Sequence, residues 1–281
     1  MSFPLKNKTI FITGGARGIG KLIALHLLRK GFAIKVCARS QNDLENLKNE
    51  ADQIIKNRMQ CDRLDVTNFD SVQHWLSESI QGTSPWGLVT AAGIYGPMGP
   101  FIENDIEQWR NALEINLMGT AACCQIFAQQ LVKKKYFGRI VTLSGGGADR
   151  PMPNFTSYGA TKAAVVRFSE TLAFELEPHN ITVNSMNPGA FNTFFNDQLI
   201  AAGPNTIGEK MYQRAIEIKN GKAADPNKVE GLIEYLMSET SQPVTGLLIS
   251  AMWDPWQEFH QTMDEINKED KFRLRRIQPK F

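Results

Sequence analysis

The 281 residues are 42% hydrophobic and 21% charged, enough apolar material for one large α/β core or two small ones. The formal net charge of +2 singles out no polyanionic partner, and no apolar run approaches the roughly 18 residues of a membrane helix. MSFPLKNKTIF lacks the succession of charged head, long apolar stretch and small-residue cleavage site that marks a signal peptide. Cys37, Cys61, Cys123 and Cys124 show no CxxC spacing and read as free thiols in a reducing cytoplasm, with no metal expected.

In chain order, strands and helices alternate. KTIFIT (8–13) is short, β-branched and apolar. A Gly-rich turn follows, then KLIALHLLRKG, an amphipathic helix closed by Gly31. AIKVCA (33–38) reads as a second strand, LENLKNEADQII as a helix, MQCDRLDV (59–66) as a third strand and FDSVQHWLSESI as a helix. WGLVTAAG (86–93) is a fourth strand, followed by one long helical region from about Asp105 to Lys135. GRIVTLS (138–144), a long helix from SYGATK onward, ITVNSMNPG (181–189), a mixed loop and helix stretch (191–220), the helix PNKVEGLIEYLMSE and the strand GLLISA (246–251) complete the series. Such alternation predicts βαβ units in a Rossmann-type, doubly wound, mostly parallel seven-stranded sheet with helices on both faces. No boundary interrupts residues 1–251, which form one expected domain, and residues 252–281 are left as a C-terminal extension.

TGGARGIG (13–20) joins the first strand to the first helix. Gly14, Gly15, Gly18 and Gly20 allow positive φ and close backbone approach, and the helix start offers N–H groups to a pyrophosphate. Residues 15–21 also fit the start of a P-loop, GxxxxGK, but Leu22 stands where the Mg²⁺-binding hydroxyl belongs, which excludes a nucleoside triphosphatase. An NAD site wants an acid after the second strand to accept from the ribose hydroxyl. Here Cys37-Ala38-Arg39-Ser40 supplies none. Arg39, with Arg17 from the turn, can clamp a 2′-phosphate, so NADP(H) is expected ahead of NAD(H).

Tyr158 and Lys162 stand four apart on one helix face. A phenol titrates near pH 10, and a neighbouring ammonium favours its ionised form. The pair can pass a proton to or from a carbonyl oxygen while hydride moves at carbon.

With these residues in order, the chain resembles the short-chain dehydrogenase/reductase family over about residues 8–250. The resemblance rests on Thr13-Gly14-x-x-x-Gly18-x-Gly20, Asp65-Val66, Ala92-Gly93, Asn116, Ser144, Tyr158-x-x-x-Lys162, and Pro188-Gly189 followed by Thr193. It implies Tyr158 as catalytic acid–base, with Lys162 lowering its pKa and bonding the nicotinamide ribose. Asn116 would hold a relay water, and a serine before the tyrosine would orient the substrate carbonyl. It further implies Gly14, Gly18, Ile19 and Gly20 around the pyrophosphate, Asp65 and Val66 flanking adenine, Ala92 and Gly93 at the ribose, and Pro188, Gly189 and Thr193 along the nicotinamide. Dimers and tetramers are common in the family, so a homodimer or homotetramer is expected.

Three departures stand out. Thr90 and Ala91 replace the family's two asparagines before Ala-Gly. SAMWDPWQEF replaces its usual Asp-Gly-Gly after the last strand, and Trp253, Pro255, Trp256 and Phe259 read as a packing or subunit-contact cluster in preference to a substrate lid. The tail from Lys268, with six basic and two acidic side chains, reads as a solvated or intersubunit arm rather than a nucleic-acid patch. The third concerns the serine, which usually stands thirteen residues before the tyrosine. That count lands on Gly145, and Ser144 is fourteen before. Either a bulge in the glycines brings Ser144 into place, or the role is vacant and backbone N–H groups of the glycines stand in.

The sequence thus predicts an NADP(H)-dependent oxidoreductase that interconverts an alcohol and a ketone or aldehyde. Its substrate loop, about 190–220, carries Phe191, Phe194, Phe195, Leu199 and Ile200 toward an apolar or mixed pocket. Reduction of C=C or C=N by the same pair, or a non-catalytic dinucleotide sensor, are the alternatives.

Overall fold

A computed structural model describes residues 8–276. It contains β1 (Lys8–Thr13), α1 (Gly18–Arg29), β2 (Ala33–Ala38), α2 (Gln41–Ile54), β3 (Met59–Arg63), α3 (Phe69–Ile80) and β4 (Ser84–Thr90). α4 (Ile106–Leu113), α5 (Gly119–Lys134), β5 (Gly138–Leu143), α6 (Thr156–Leu176) and β6 (Ile181–Asn187) follow. The last elements are α7 (Phe194–Ile207), α8 (Glu209–Lys219), α9 (Pro226–Leu236), β7 (Leu248–Ser250) and α10 (Phe259–Glu269). The sheet order is β3-β2-β1-β4-β5-β6-β7, and every pairing is parallel. Strand order reverses between β1 and β4, which opens a crevice at the carboxyl ends of these strands.

Alternation along β1 shows how both faces are covered. Ile10 and Ile12 enter one core with Ile23, Leu27, Leu232 and Phe259 from α1, α9 and α10. Phe11, between them, enters the other with Trp75, Phe127 and Ala173 from α3, α5 and α6. Buried on both sides, β1 reads as a continuous apolar run rather than an alternating one.

Two sequence expectations shift. β3 ends at Arg63 rather than running through Val66, because Asp65 turns the chain: its Oδ1 accepts from the Thr67 N–H (3.0 Å) and hydroxyl (2.9 Å). The long helix expected from Asp105 to Lys135 is α4 and α5 joined by one π-helical segment, Glu114–Met118. The wide turn coincides with Asn116, whose buried side chain leaves the helix to bond elsewhere.

The chain after Ser250 packs onto the core. Trp256, Phe259, Met263 and Ile266 are buried against it, while Trp253 is 87% exposed. Beyond α10 the chain runs along the edge of the sheet, where the Leu248 N–H donates to the Phe272 carbonyl (2.8 Å).

Candidate active site

One cleft of about 790 Å³ lies at the carboxyl ends of the central strands. At one end the β1–α1 turn forms its floor. Gly14 adopts φ +63°, and a Cβ there would meet the Ala92 backbone at 2.6 Å. A Cβ on Gly20 would lie 2.4 Å from the Gly14 carbonyl oxygen. The turn therefore closes tightly only because these positions lack side chains. Arg17 precedes α1 without a side-chain cap, and the first turn of α1 carries no acidic residue. Those unsatisfied N–H groups face the cleft with Gly18, Ile19 and Gly20, and suit an anionic pyrophosphate. The residues present thus fit a dinucleotide.

Asp65, Val66, Ala92 and Gly93 line the same cleft, as do Pro188, Gly189 and Thr193 at its other wall. Thr193 lies against the turn, 3.7 Å from a Cβ position on Gly18. The two arginines are held apart. Arg39 sits 3.8 Å from the Asp65 carboxylate, while the Arg17 guanidinium stacks over the Phe194 ring at 4.1 Å.

Tyr158 and Lys162 project from the first turns of α6, both buried. Lys162 Nζ donates to the Leu143 carbonyl at the end of β5 (2.7 Å) and lies 5.7 Å from the Tyr158 ring centre. Burial pulls the Lys162 pKa down to about 8. Burial, and secondarily the Tyr95 phenol, pushes Tyr158 upward, so desolvation rather than the ammonium dominates its titration here.

Asn116 does not line the cleft. Its Oδ1 accepts from the Ile94 N–H (2.9 Å), and its Nδ2 donates to the Ile94 carbonyl (2.9 Å) and to Thr161 Oγ1 (3.0 Å). It fixes the backbone just after β4 and stands behind Gly93, where a Cβ would be 3.2 Å from Oδ1 and 3.7 Å from Lys162 Nζ.

At the serine register, Gly145 faces the phenol: a Cβ there would lie 2.3 Å from the Tyr158 hydroxyl. Ser144 continues the sheet through its N–H to the Met186 carbonyl (2.9 Å), and its Oγ is buried without a hydrogen-bond partner. Thr90, in an asparagine's place, also keeps a buried hydroxyl without a partner, and the backbone there bonds instead from the Ala91 and Ala92 N–H groups to Thr13.

The wall formed by the 191–220 stretch is largely apolar. Phe191, Phe194, Phe195 and Leu199 line it, and Ile200 packs into the adjoining cluster with Phe155, Leu199 and Tyr158. The stretch 191–220 is two helices, α7, kinked at Gly203, and α8, which adds Met211, Arg214, Ala215 and Ile218 to the wall. Sequence reading missed Tyr95, Arg150 and Met152. Tyr95 had a signal: it lies two residues beyond Gly93, at the carboxyl end of a central strand. Among the described residues no group of three His, Cys, Asp or Glu side chains could hold a metal, and no helix is long and apolar enough to cross a membrane.

Comparison with known proteins identifies the family and the fold. A family model described as short chain dehydrogenase matches residues 8–203. The chain is 30% identical to L-2,3-butanediol dehydrogenase of Corynebacterium glutamicum, over 85% of this chain and 95% of that protein. It is 29% identical to cyclohexanol dehydrogenase of Rhodococcus sp. (strain TK6), over 88% and 96%. Among solved structures, an actinorhodin polyketide ketoreductase with NADPH superposes with TM-score 0.78 at 24% identity, covering 86% of this chain and 95% of that one. An NAD⁺-bound xylitol dehydrogenase gives TM-score 0.76 at 23% identity, covering 88% and 98%. The fold is thus shared with solved structures bound to NADPH and to NAD⁺, and with the family model matching most of the chain, this chain belongs to the short-chain dehydrogenase family of oxidoreductases.

Proposed function

We propose that this enzyme interconverts an alcohol and a ketone or aldehyde, with NADP(H) as hydride carrier and Tyr158 as acid–base. The observation that carries the reading is the burial of Tyr158 and Lys162 on one face of α6, in the same cleft as the β1–α1 glycine turn. The nicotinamide supplies hydride in reduction and accepts it in oxidation. Burial keeps the Tyr158 phenol protonated at neutral pH, so it is a ready donor to a carbonyl oxygen that gains negative charge. Lys162, when charged, stabilises the phenolate that remains, and its bond to Leu143 holds the ammonium at that place. Asn116 positions the Ile94 peptide beside them rather than touching substrate. Ser144 is the candidate serine of this site, with a buried, unpartnered hydroxyl one residue before Gly145 on the cleft lining.

Ile19, Gly14, Gly18 and Gly20 would hold the pyrophosphate. Arg39 would hold a 2′-phosphate after exchanging its exposed contact with Asp65, and Arg17 would join it by leaving Phe194. Neighbours with NADPH and with NAD⁺ both have this fold, so the preference rests on Arg39 and on the missing acid after β2. The apolar surface of Tyr95, Met152 and Phe195 suits an aliphatic or alicyclic carbonyl, in line with the butanediol and cyclohexanol named for two relatives, and Arg150 and Arg214 in the same lining leave room for polar substituents. The four free thiols suit a reducing cytoplasm, and exposed Met118 and Phe174 suit a homodimer or homotetramer.

The test is a titration with NADPH and NADH, followed by a carbonyl and alcohol screen read by NADPH absorbance. NADPH binds more tightly, Arg39→Ala narrows the gap by about tenfold, the scale of one charge-assisted contact, and Tyr158→Phe abolishes turnover with NADPH still bound. Equal affinities for the two cofactors refute the NADP(H) assignment, and an active Tyr158→Phe moves the acid–base elsewhere.

A further inference from the structure

A carbonyl oxygen that gains charge presents more than one lone pair, and Tyr158 satisfies one. The position thirteen residues before Tyr158 cannot satisfy another through a side chain, because it is Gly145. Nor is there room for one. With a Cβ position 2.3 Å from the Tyr158 hydroxyl and 3.1 Å from Cζ, the phenol itself occupies that space. Ser144 borders the cleft, but its Oγ is buried at the end of β5 and makes no hydrogen bond.

A second hydroxyl belongs to a ring packed against the phenol. The Tyr95 ring packs edge-on to Tyr158, with centroids 4.8 Å apart and planes at 60°. Phe155 at 5.4 Å and Phe195 at 4.6 Å hold that ring in place. Its backbone is pinned as well. The Tyr95 carbonyl accepts from Ser157 Oγ (3.1 Å), and Ser157 directly precedes Tyr158, so both phenols hang from one anchor. Gly96 turns the chain away at φ +72°, and a Cβ there would come within 2.6 Å of Ser157 Oγ, so this close seating needs a glycine. All this rigidity presents a hydroxyl that makes no hydrogen bond to any described residue, on a side chain that lines the cleft. Burial raises its pKa to about 12, which keeps it a donor across the neutral range.

We propose that the Tyr95 hydroxyl is a catalytic residue that donates a hydrogen bond to the substrate's carbonyl oxygen alongside Tyr158. The proposal rests on the carbonyl-reduction reading above. In that step the C=O π bond breaks toward oxygen, and hydride from reduced nicotinamide brings its electron pair to form the C–H bond. The Tyr158 proton passes to oxygen, so the carbonyl is reduced and the cofactor oxidised. Tyr95 keeps its proton throughout and binds the oxygen more strongly as charge develops.

Cyclohexanone and acetoin are the probes, with NADPH absorbance for turnover and NADPH fluorescence for cofactor affinity. Tyr95→Phe keeps the ring and removes only the hydroxyl. Expected is a fall in kcat/KM of about 10- to 100-fold, mostly in kcat, with NADPH affinity unchanged and a smaller loss in Ser144→Ala. Wild-type kcat/KM in Tyr95→Phe overturns the inference, as does a loss no larger than that of Ser144→Ala. A loss matched by weaker NADPH binding does so too, since it marks a packing role. A wild type that binds NADPH but is inactive on these ketones and throughout the carbonyl and alcohol screen refutes carbonyl reduction and this inference together, whereas an active wild type with an equally active Tyr95→Phe refutes only the inference.

Discussion

Gly145 has the Tyr158 hydroxyl against its open face, and that one missing side chain leaves the phenol its place. Gly145→Ala would place a carbon 2.3 Å from the hydroxyl, far inside contact distance, and the phenol must swing away by about 1 Å. A displacement of that size costs on the order of 100-fold in kcat/KM, while the dinucleotide end of the cleft is untouched. Steady-state kinetics beside NADPH titration check this, and an alanine variant with wild-type turnover would mean the phenol reacts from another position. The sequence count had already landed on this glycine. What it could not decide is which way Ser144 faces, because a one-residue choice at a strand end depends on whether β5 continues its ladder. It does: the Ser144 N–H bonds to the Met186 carbonyl, and the residue borders the cleft with its hydroxyl buried and unpartnered.

At the scale of elements, α6 is tied to the end of β5 by Lys162 and the Leu143 carbonyl. Burial lowers the Lys162 pKa from the usual 10.5 to about 8, which makes the charged lysine a cost to the fold. Below pH 8 folded and unfolded chains both carry the proton and the full cost is present. Between about pH 8 and 10.5 the folded chain releases it first, so stability rises with pH across this window. Urea unfolding of wild type and Lys162→Met should show the difference moving in favour of wild type from pH 8 to 10. A difference flat with pH would mean that the lysine titrates normally. Tyr158 and Lys162 were legible because spacing along one helix fixes their shared face. The break in the long helix was not, because the π-helical turn around Asn116 exists to serve Ile94 and Thr161, which are 22 and 45 residues away.

For the whole molecule, α1, α9 and α10 share one core, so the chain after β7 helps to hold the face that carries the glycine turn. Phe259 is 1% exposed at the start of α10. Phe259→Ala should lower unfolding free energy by about 3–5 kcal/mol in urea titrations. A loss below about 1 kcal/mol would show that α10 is dispensable to this core. The aromatic cluster read from the sequence divides accordingly: Trp256 and Phe259 are packing residues, and Trp253 faces solvent.

The sequence by itself determined the seven strands, most of the helices, the parallel sense of the sheet and the residues of the glycine turn and the Tyr–Lys pair. Each of these is set by local periodicity, by backbone freedom or by spacing within one element. Tertiary structure alone decided that Tyr95 meets Tyr158, that Arg17 lies on Phe194 rather than beside Arg39, and that Asn116 faces the backbone rather than the cleft. Those outcomes depend on side chains from different elements competing for one space, and no local pattern records which of them wins.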